Sequence, residues 1–151
     1  MAVERTFVMI KPDGVQRGLV GGIINRFEKK GIKIVAMKLV SVSKDLAEKH
    51  YGIHKEKPFF EPTVKYIISS PVVAMVLEGN NVISIVRTMM GKTNPQDAAM
   101  GTIRGDYGQF IGRNIVHGSD GPDTAEFEIN LWFKPEEISK YKRIDAEWLT
   151  E

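Results

Sequence analysis

Not one cysteine occurs in this chain of 151 residues, which excludes disulfides, thiol nucleophiles and cysteine-based metal sites. A dominant charge of one sign is also missing. The 21 lysines and arginines against 19 aspartates and glutamates leave a net +2, too small to imply a nucleic-acid or membrane partner, though local basic clusters could still bind phosphates. No apolar run approaches the ~18 residues of a membrane helix. The opening Met1-Ala-Val-Glu-Arg-Thr6 has no apolar stretch of the kind a signal peptide needs. Repeats, low-complexity tracts and linkers are absent too. With 42% hydrophobic and 26% charged residues, the expectation is one soluble cytoplasmic domain over 1–151. Such a length buries roughly two-thirds of the surface of the unfolded chain. Histidine is scarce, so imidazole chemistry is confined to His50, His54 and His117.

Residues 5–11 form an apolar, strand-like run that Pro12-Asp-Gly14 brings to a turn. Leu19, Val20, Ile23, Ile24 and Phe27 recur at helical spacing, and Gly31 suits the C-terminal cap. A second strand is expected over 32–42 and a helix from Ser43 to about Tyr51. Residues 58–60 read as a loop and 63–69 as a short helix after Pro62. A third strand over 71–77 should end at Glu78-Gly79, with Asn80 capping a helix that runs to Met90 and closes at Gly91. The stretch 90–112 is rich in Gly, Thr, Asn and Asp, and a loop that long in a compact domain is usually functional or disordered. Ile115-Val116 makes a short fourth strand, followed by a helix over 122–133 and a tail with one turn around 135–141. Four strands and two βαβ units predict an α+β, ferredoxin-like sandwich: a four-stranded antiparallel sheet with one face covered by helices. A flavodoxin-like parallel sheet fits the same element order.

The segment Asn114-Ile-Val-His-Gly-Ser-Asp-Gly121 places His117 at the end of a β-branched run among small, hydrogen-bonding residues. Imidazole can act as a covalent nucleophile near neutral pH. Gly118 and Gly121 would leave room for a bulky group, and Ser119 and Asp120 could begin a helix or orient a neighbour. Eleven residues on, Glu128 falls inside the apolar stripe of Ala125, Ile129, Trp132 and Phe133, where a carboxylate must be paired. It could fix the His117 tautomer, or equally form a salt bridge with a basic residue. Lys11 ends a strand face shared with Phe7 and Met9. Arg87, Arg104, Arg113, Lys92 and Thr93 flank the long glycine-rich stretch. Guanidinium forks match phosphate oxygens, so this set around a histidine suggests phosphoryl transfer.

Five segments carry a resemblance to the nucleoside diphosphate kinase family that runs from Glu4 to Trp148. They are Ile10-Lys-Pro-Asp-Gly-Val-Gln-Arg-Gly18, Lys57-Pro-Phe-Phe60, Gly91-Lys-Thr-Asn-Pro95, Gly101-Thr-Ile-Arg-Gly-Asp106 and Gly112-Arg-Asn-Ile-Val-His-Gly-Ser-Asp120. The resemblance implies a ping-pong reaction in which a nucleoside triphosphate such as ATP gives its γ-phosphoryl group to His117. A nucleoside diphosphate then collects it. It further implies that Lys11 and Asn114 bond the ribose 3′ side and that Lys11 also reaches the transferring phosphate. Tyr51, Arg87, Thr93 and Arg104 should hold phosphates, Phe59 should stack on the base, and Glu128 and Ser119 should support the imidazole. Magnesium should be held mainly by the nucleotide phosphates, with no protein metal site. The tail after Pro135 resembles that of hexameric members, a homotetramer being the other possibility. Thr63 and Ile111 depart from the leucine and valine common in the base slot, and stacking tolerates both. A π-face exists on every base, so broad nucleotide acceptance follows, with discrimination at the 3′-hydroxyl.

Gly91-Lys-Thr93 resembles the end of a P-loop, but Val86 stands where that motif needs its first glycine. His50 and His54 have the spacing of a zinc pair on a helix, yet Gly52 interrupts it, and both read as surface residues. Four-stranded ferredoxin-like sheets also bind RNA, but the aromatic signature of those modules is absent.

Overall fold

The computed structural model describes residues 3–151 apart from the side chain of Ile53. Met1 and Ala2, part of the stretch read as lacking a leader, lie outside the described residues. Strands β1 (Val3–Ile10), β2 (Lys33–Val40), β3 (Val72–Asn80) and β4 (Val116–Gly118) form one sheet in the order β2-β3-β1-β4. Every pairing is antiparallel, as the ferredoxin-like α+β reading expects, and the parallel alternative is excluded.

Helices cover both faces rather than one. Val8, Ile10, Val73, Met75 and Leu77 pack with α2 (Val20–Lys29) and α5 (Val82–Met90). Phe7, Met9, Val72, Ala74 and Val76 pack on the other side with α3 (Lys44–His50), α4 (Phe60–Ile67) and α7 (Pro122–Trp132). The cause lies in the strands themselves. Phe7 to Ile10 and Val72 to Leu77 are continuous apolar runs, buried on both faces instead of alternating. Each Val, Leu, Ile, Phe or Met side chain so buried contributes about 1.5–3 kcal/mol relative to exposure.

Some boundaries shift for identifiable reasons. β3 continues through Glu78 and Gly79 because Arg5, Glu4 and Val3 pair with Glu78, Gly79 and Asn80. The helix cap therefore moves from Asn80 to Asn81, which sits in the left-handed region at φ 54°. α4 begins at Phe60, before Pro62, since a first-turn proline loses no intrahelical hydrogen bond. The stretch 90–112 is ordered, with a 3-10 turn at Pro95–Asp97 and α6 (Ile103–Tyr107), whose N-cap Thr102 accepts from the Gly105 amide at 3.0 Å. A one-turn helix, α1 (Pro12–Gln16), replaces the turn after β1.

Gly91 closes α5 at φ 86°, and a Cβ there would meet Thr102 Oγ1 at 2.4 Å. A Cβ on Gly118 would lie 2.7 Å from Met90 Sδ, so that glycine serves close packing of β4 on α5. Gly121, by contrast, faces open space. No helix among the described residues is long and apolar enough to cross a membrane.

Candidate active site

β4 pairs His117 with Met9, so the imidazole shares a sheet face with Phe7 and looks toward α3 and α7. Just before it, Ile115 is fully buried at φ 74°, a strained conformation for a β-branched residue. Such strain persists only where neighbours over-determine it. Here the Ile115 amide donates to Asp13 Oδ2 at 3.0 Å and its carbonyl accepts from the Lys11 amide at 2.7 Å. The Tyr66 hydroxyl donates to the same aspartate.

His117 Nε2 lies 3.0 Å and 3.1 Å from the two carboxylate oxygens of Glu128, one helix away on α7. The Ser119 hydroxyl donates to Glu128 Oε1 at 2.5 Å, and its oxygen accepts from the Phe7 amide at 3.3 Å. Burial alone would raise the Glu128 carboxyl, but hydrogen bonds from His117 and Ser119 outweigh it and leave it below its ordinary value. The carboxylate is thus ionised and holds the Nε2 side of the ring, which leaves Nδ1 as the nitrogen with a lone pair to offer.

His50 corrects the sequence reading. It is buried, not on the surface, and packs edge-on against His117 with ring centroids 4.8 Å apart. Trp132 Nε1 donates to His50 Nδ1 at 3.0 Å, and His50 Nε2 is 3.7 Å from Glu128 Oε2. The signal was available: Leu46, Ala47 and His50 share one helical face, and Ala47 is wholly buried. Burial first, and then the neighbouring His117, lower His50 to about 3, so it is uncharged. The three groups His50, His117 and Glu128 lie close enough to hold a metal ion. That use is ruled out by the indole, a donor only, which occupies the Nδ1 lone pair and forces the proton onto Nε2. Metal-bound histidines instead donate from their second nitrogen.

The remaining candidates gather around this core. Lys11 Nζ donates to Asn114 Oδ1 at 2.8 Å, and Asn114 Nδ2 donates to the Thr93 carbonyl at 3.1 Å. Burial, then Arg104, push the Lys11 ammonium down to about 8 against the pull of Asp13. Arg104 is buried and donates to three carbonyls: Nε to Asn114, Nη1 to Gly91 and Nη2 to Val116. Of its five N–H groups, two remain. Arg87 is exposed and donates to Asp120 Oδ1 at 2.8 Å and to the Gly118 carbonyl at 3.3 Å. Tyr51 rests edge-on against His50, and its buried hydroxyl has no hydrogen-bond partner among the described residues. Phe59 is 49% exposed at the start of α4, tilted against His54, with Ile111 also exposed. Among the described residues, the ring contact of Phe59 is with His54 and not with His50 or His117.

A family profile described as nucleoside diphosphate kinase matches residues 4–138. The chain is 60% identical over 149 residues to a nucleoside diphosphate kinase of Picosynechococcus, covering 99% of this chain and 100% of that one. It is 58% identical over 149 residues to one from Archaeoglobus fulgidus, covering 99% of each. Among solved structures, it is similar to a halophilic nucleoside diphosphate kinase from Halobacterium salinarum in complex with CDP. That match has a TM-score of 0.97 and 50% identity, over 99% of this chain and 100% of that one.

Proposed function

The chain belongs to the nucleoside diphosphate kinase family and is a nucleotide phosphotransferase; from that premise we propose that His117 Nδ1 carries the phosphoryl group between nucleotides. The observation that supports this most strongly is the Glu128 carboxylate on Nε2, which leaves Nδ1 as the nucleophile. In the first half-reaction the Nδ1 lone pair attacks the γ-phosphorus of a nucleoside triphosphate. An N–P bond forms, the bond to the β,γ-bridging oxygen breaks, and its electron pair leaves on the nucleoside diphosphate. The Nε2 proton stays between ring and carboxylate, and Glu128 offsets the positive charge that grows on the imidazole. A second diphosphate reverses these steps.

Lys11, Arg87, the two remaining N–H groups of Arg104, the Thr93 hydroxyl and the unpartnered Tyr51 hydroxyl hold the phosphates. Asn114 and Lys11 hold the ribose 3′ side, and Phe59 stacks on the base, which accounts for broad base acceptance. The donor set fits a magnesium ion carried mainly by phosphate oxygens. Glu128 is engaged by His117 and Ser119, so Asp120 is the carboxylate at this site left near the surface. Magnesium supplies charge neutralisation of the phosphates. Residues 1–151 act as one domain, and a homohexamer is the assembly we favour over a homotetramer. The exposed apolar side chains Met37, Leu39 and Trp148 support an assembled state. The cytoplasm, whose nucleotide pool this reaction could draw on, is the compartment we propose.

The test is incubation with a γ-labelled nucleoside triphosphate and magnesium, followed by removal of nucleotide. Acid-labile, alkali-stable label on His117 that passes to added diphosphate is the expected result. An unlabelled protein that still binds nucleotide would overturn the phosphohistidine.

Lys11 gives a pH prediction. Its ammonium sits near 8 in the free protein, so raising the pH through that value removes a phosphate-binding charge. Because kcat/KM reports the free enzyme, it should fall on the alkaline side near pH 8, by roughly tenfold per unit. The kcat profile should break later, since bound phosphate stabilises the ammonium. Lys11→Arg should abolish the break; its survival in that variant would assign it elsewhere.

A further inference from the structure

Three side chains converge on the Glu128 carboxylate, and only two of them have a role in the mechanism above. The third, His50, is nearly inaccessible and comes from a different helix. We propose that Trp132 and His50 form an uncharged brace that positions Glu128 for His117, the indole fixing the His50 tautomer and the imidazole N–H steadying the carboxylate. The inference rests on the phosphohistidine reading and deepens it by adding two positioning residues.

The argument starts from donor capacity. Tryptophan can only donate, so the 3.0 Å contact makes His50 Nδ1 an acceptor. A neutral imidazole with Nδ1 accepting carries its proton on Nε2. That nitrogen faces Glu128 Oε2 at 3.7 Å, too long for a hydrogen bond but close enough for its N–H dipole to act on the carboxylate. Glu128 therefore sees a proton from His117, one from Ser119 and a third, weaker one from His50.

Alternatives at this position would each damage the reaction. A cation here would compete with His117 for the carboxylate and cancel the charge that must answer the growing positive imidazole. An apolar residue would leave the carboxylate desolvated with one fewer dipole, and Glu128 would bind the His117 proton too tightly. The geometry also restrains rotation of the catalytic ring. His50 stands edge-on to it at an interplanar angle of 77°, and Phe7 packs against both rings at 5.9 Å and 6.0 Å.

The titratable or charged groups around His50 are His117 on β4, Glu128 on α7, Lys11 after β1 and Tyr51 at the end of its own helix. Burial opposes a charge on His50 most, followed by His117; Glu128 favours the charge, but together with Lys11 the opposing effects prevail. The brace thus stays neutral across the working range.

The native protein, labelled with ¹⁵N in its histidines, provides the first test through long-range ¹H–¹⁵N correlation. His50 is expected as the Nε2–H tautomer without titration from about pH 5 to about pH 9. An Nδ1–H tautomer, or a His50 that titrates in that range, would overturn the brace without any variant. The second test is the pH profile of kcat/KM. In His50→Leu the acid limb should move up by about one pH unit, with roughly tenfold lower kcat/KM at pH values below the limb. His50→Gln, which keeps a neutral N–H, should return the limb to within ~0.3 unit. Trp132→Phe should give a tautomer mixture and an intermediate limb. A folded His50→Leu protein with lower rates but an unmoved limb would reduce His50 to packing and overturn the proposal. If His50→Leu does not fold, the native spectrum decides. Phosphate label is measured on the same native sample, so absence of label on His117 sinks the phosphohistidine, while a labelled protein with the wrong His50 tautomer sinks only the brace.

Discussion

Replacing His117 with alanine is expected to reduce phosphotransfer by at least about 10⁴-fold while nucleotide binding survives, because a covalent carrier has no substitute in this site. Lys11, Asn114, Arg87 and Arg104 keep their contacts without the imidazole, since none of the bonds that hold them uses His117. Equilibrium dialysis should find a diphosphate affinity within a few-fold of native, and exchange of label between nucleotides should vanish. A second signature follows from linkage. Glu128 is held below its ordinary value against burial, first by the His117 hydrogen bond. Its stabilising contribution is therefore present above the ordinary carboxylate range and is lost as the pH falls through its folded value. Without His117, burial gains weight and the carboxyl moves upward. The variant should then lose more melting temperature at pH 8 than at pH 5. Equal losses at both would mean that Glu128 depends on His117 far less than the geometry indicates, and retained turnover would remove the phosphohistidine altogether.

What the sequence made legible follows from how far apart the determinants lie. The His117 segment is local, and Glu128 betrayed itself by sitting on an apolar helical stripe where a lone carboxylate is costly. Continuous apolar runs in β1 and β3 likewise carried the signal of burial on both faces, though the expectation was one covered face. His50 was misread because its environment is made by α7: only the tertiary approach of Trp132 and Glu128 turns a helix-end histidine into part of the site. The antiparallel order could not be separated from a parallel one by periodicity, which reports faces and not neighbours. The extension of β3 through Glu78 and Gly79 depended on the partner residues Arg5 and Glu4, again a long-range cause. Ile115 gave no local warning of its left-handed backbone, which Asp13 and Lys11 impose from α1 and its N-cap.

Arg104→Leu is expected to be strongly destabilising, and the reason is geometric. Its guanidinium ties together the carbonyls of Gly91, Asn114 and Val116, which close α5 and lead directly into His117. Leucine would fill part of the volume but take the guanidinium donor from three carbonyls, of which that of Asn114 keeps the Val116 amide at 2.8 Å. Each buried carbonyl that loses its donor costs about 1–3 kcal/mol, partly offset by relief of the burial and Arg87 repulsion that the guanidinium suffers, so a net loss of about 3 kcal/mol is expected. For a chain of this size, that corresponds to a fall in melting temperature of roughly 10 °C. Arg104→Lys should recover little of the loss, since one compact ammonium cannot span three carbonyls set by a planar fork. Burial followed by Arg87 pulls Arg104 down to about 10, so it stays charged at neutral pH, and two cations in proximity await an anion. Added diphosphate should therefore raise the native melting temperature more than that of Arg104→Leu. The comparison separates two duties of one residue. Loss of stability with an unchanged nucleotide-induced shift would confine Arg104 to the carbonyl clamp. A smaller shift together with the stability loss would place its remaining N–H groups on phosphate, as the mechanism requires.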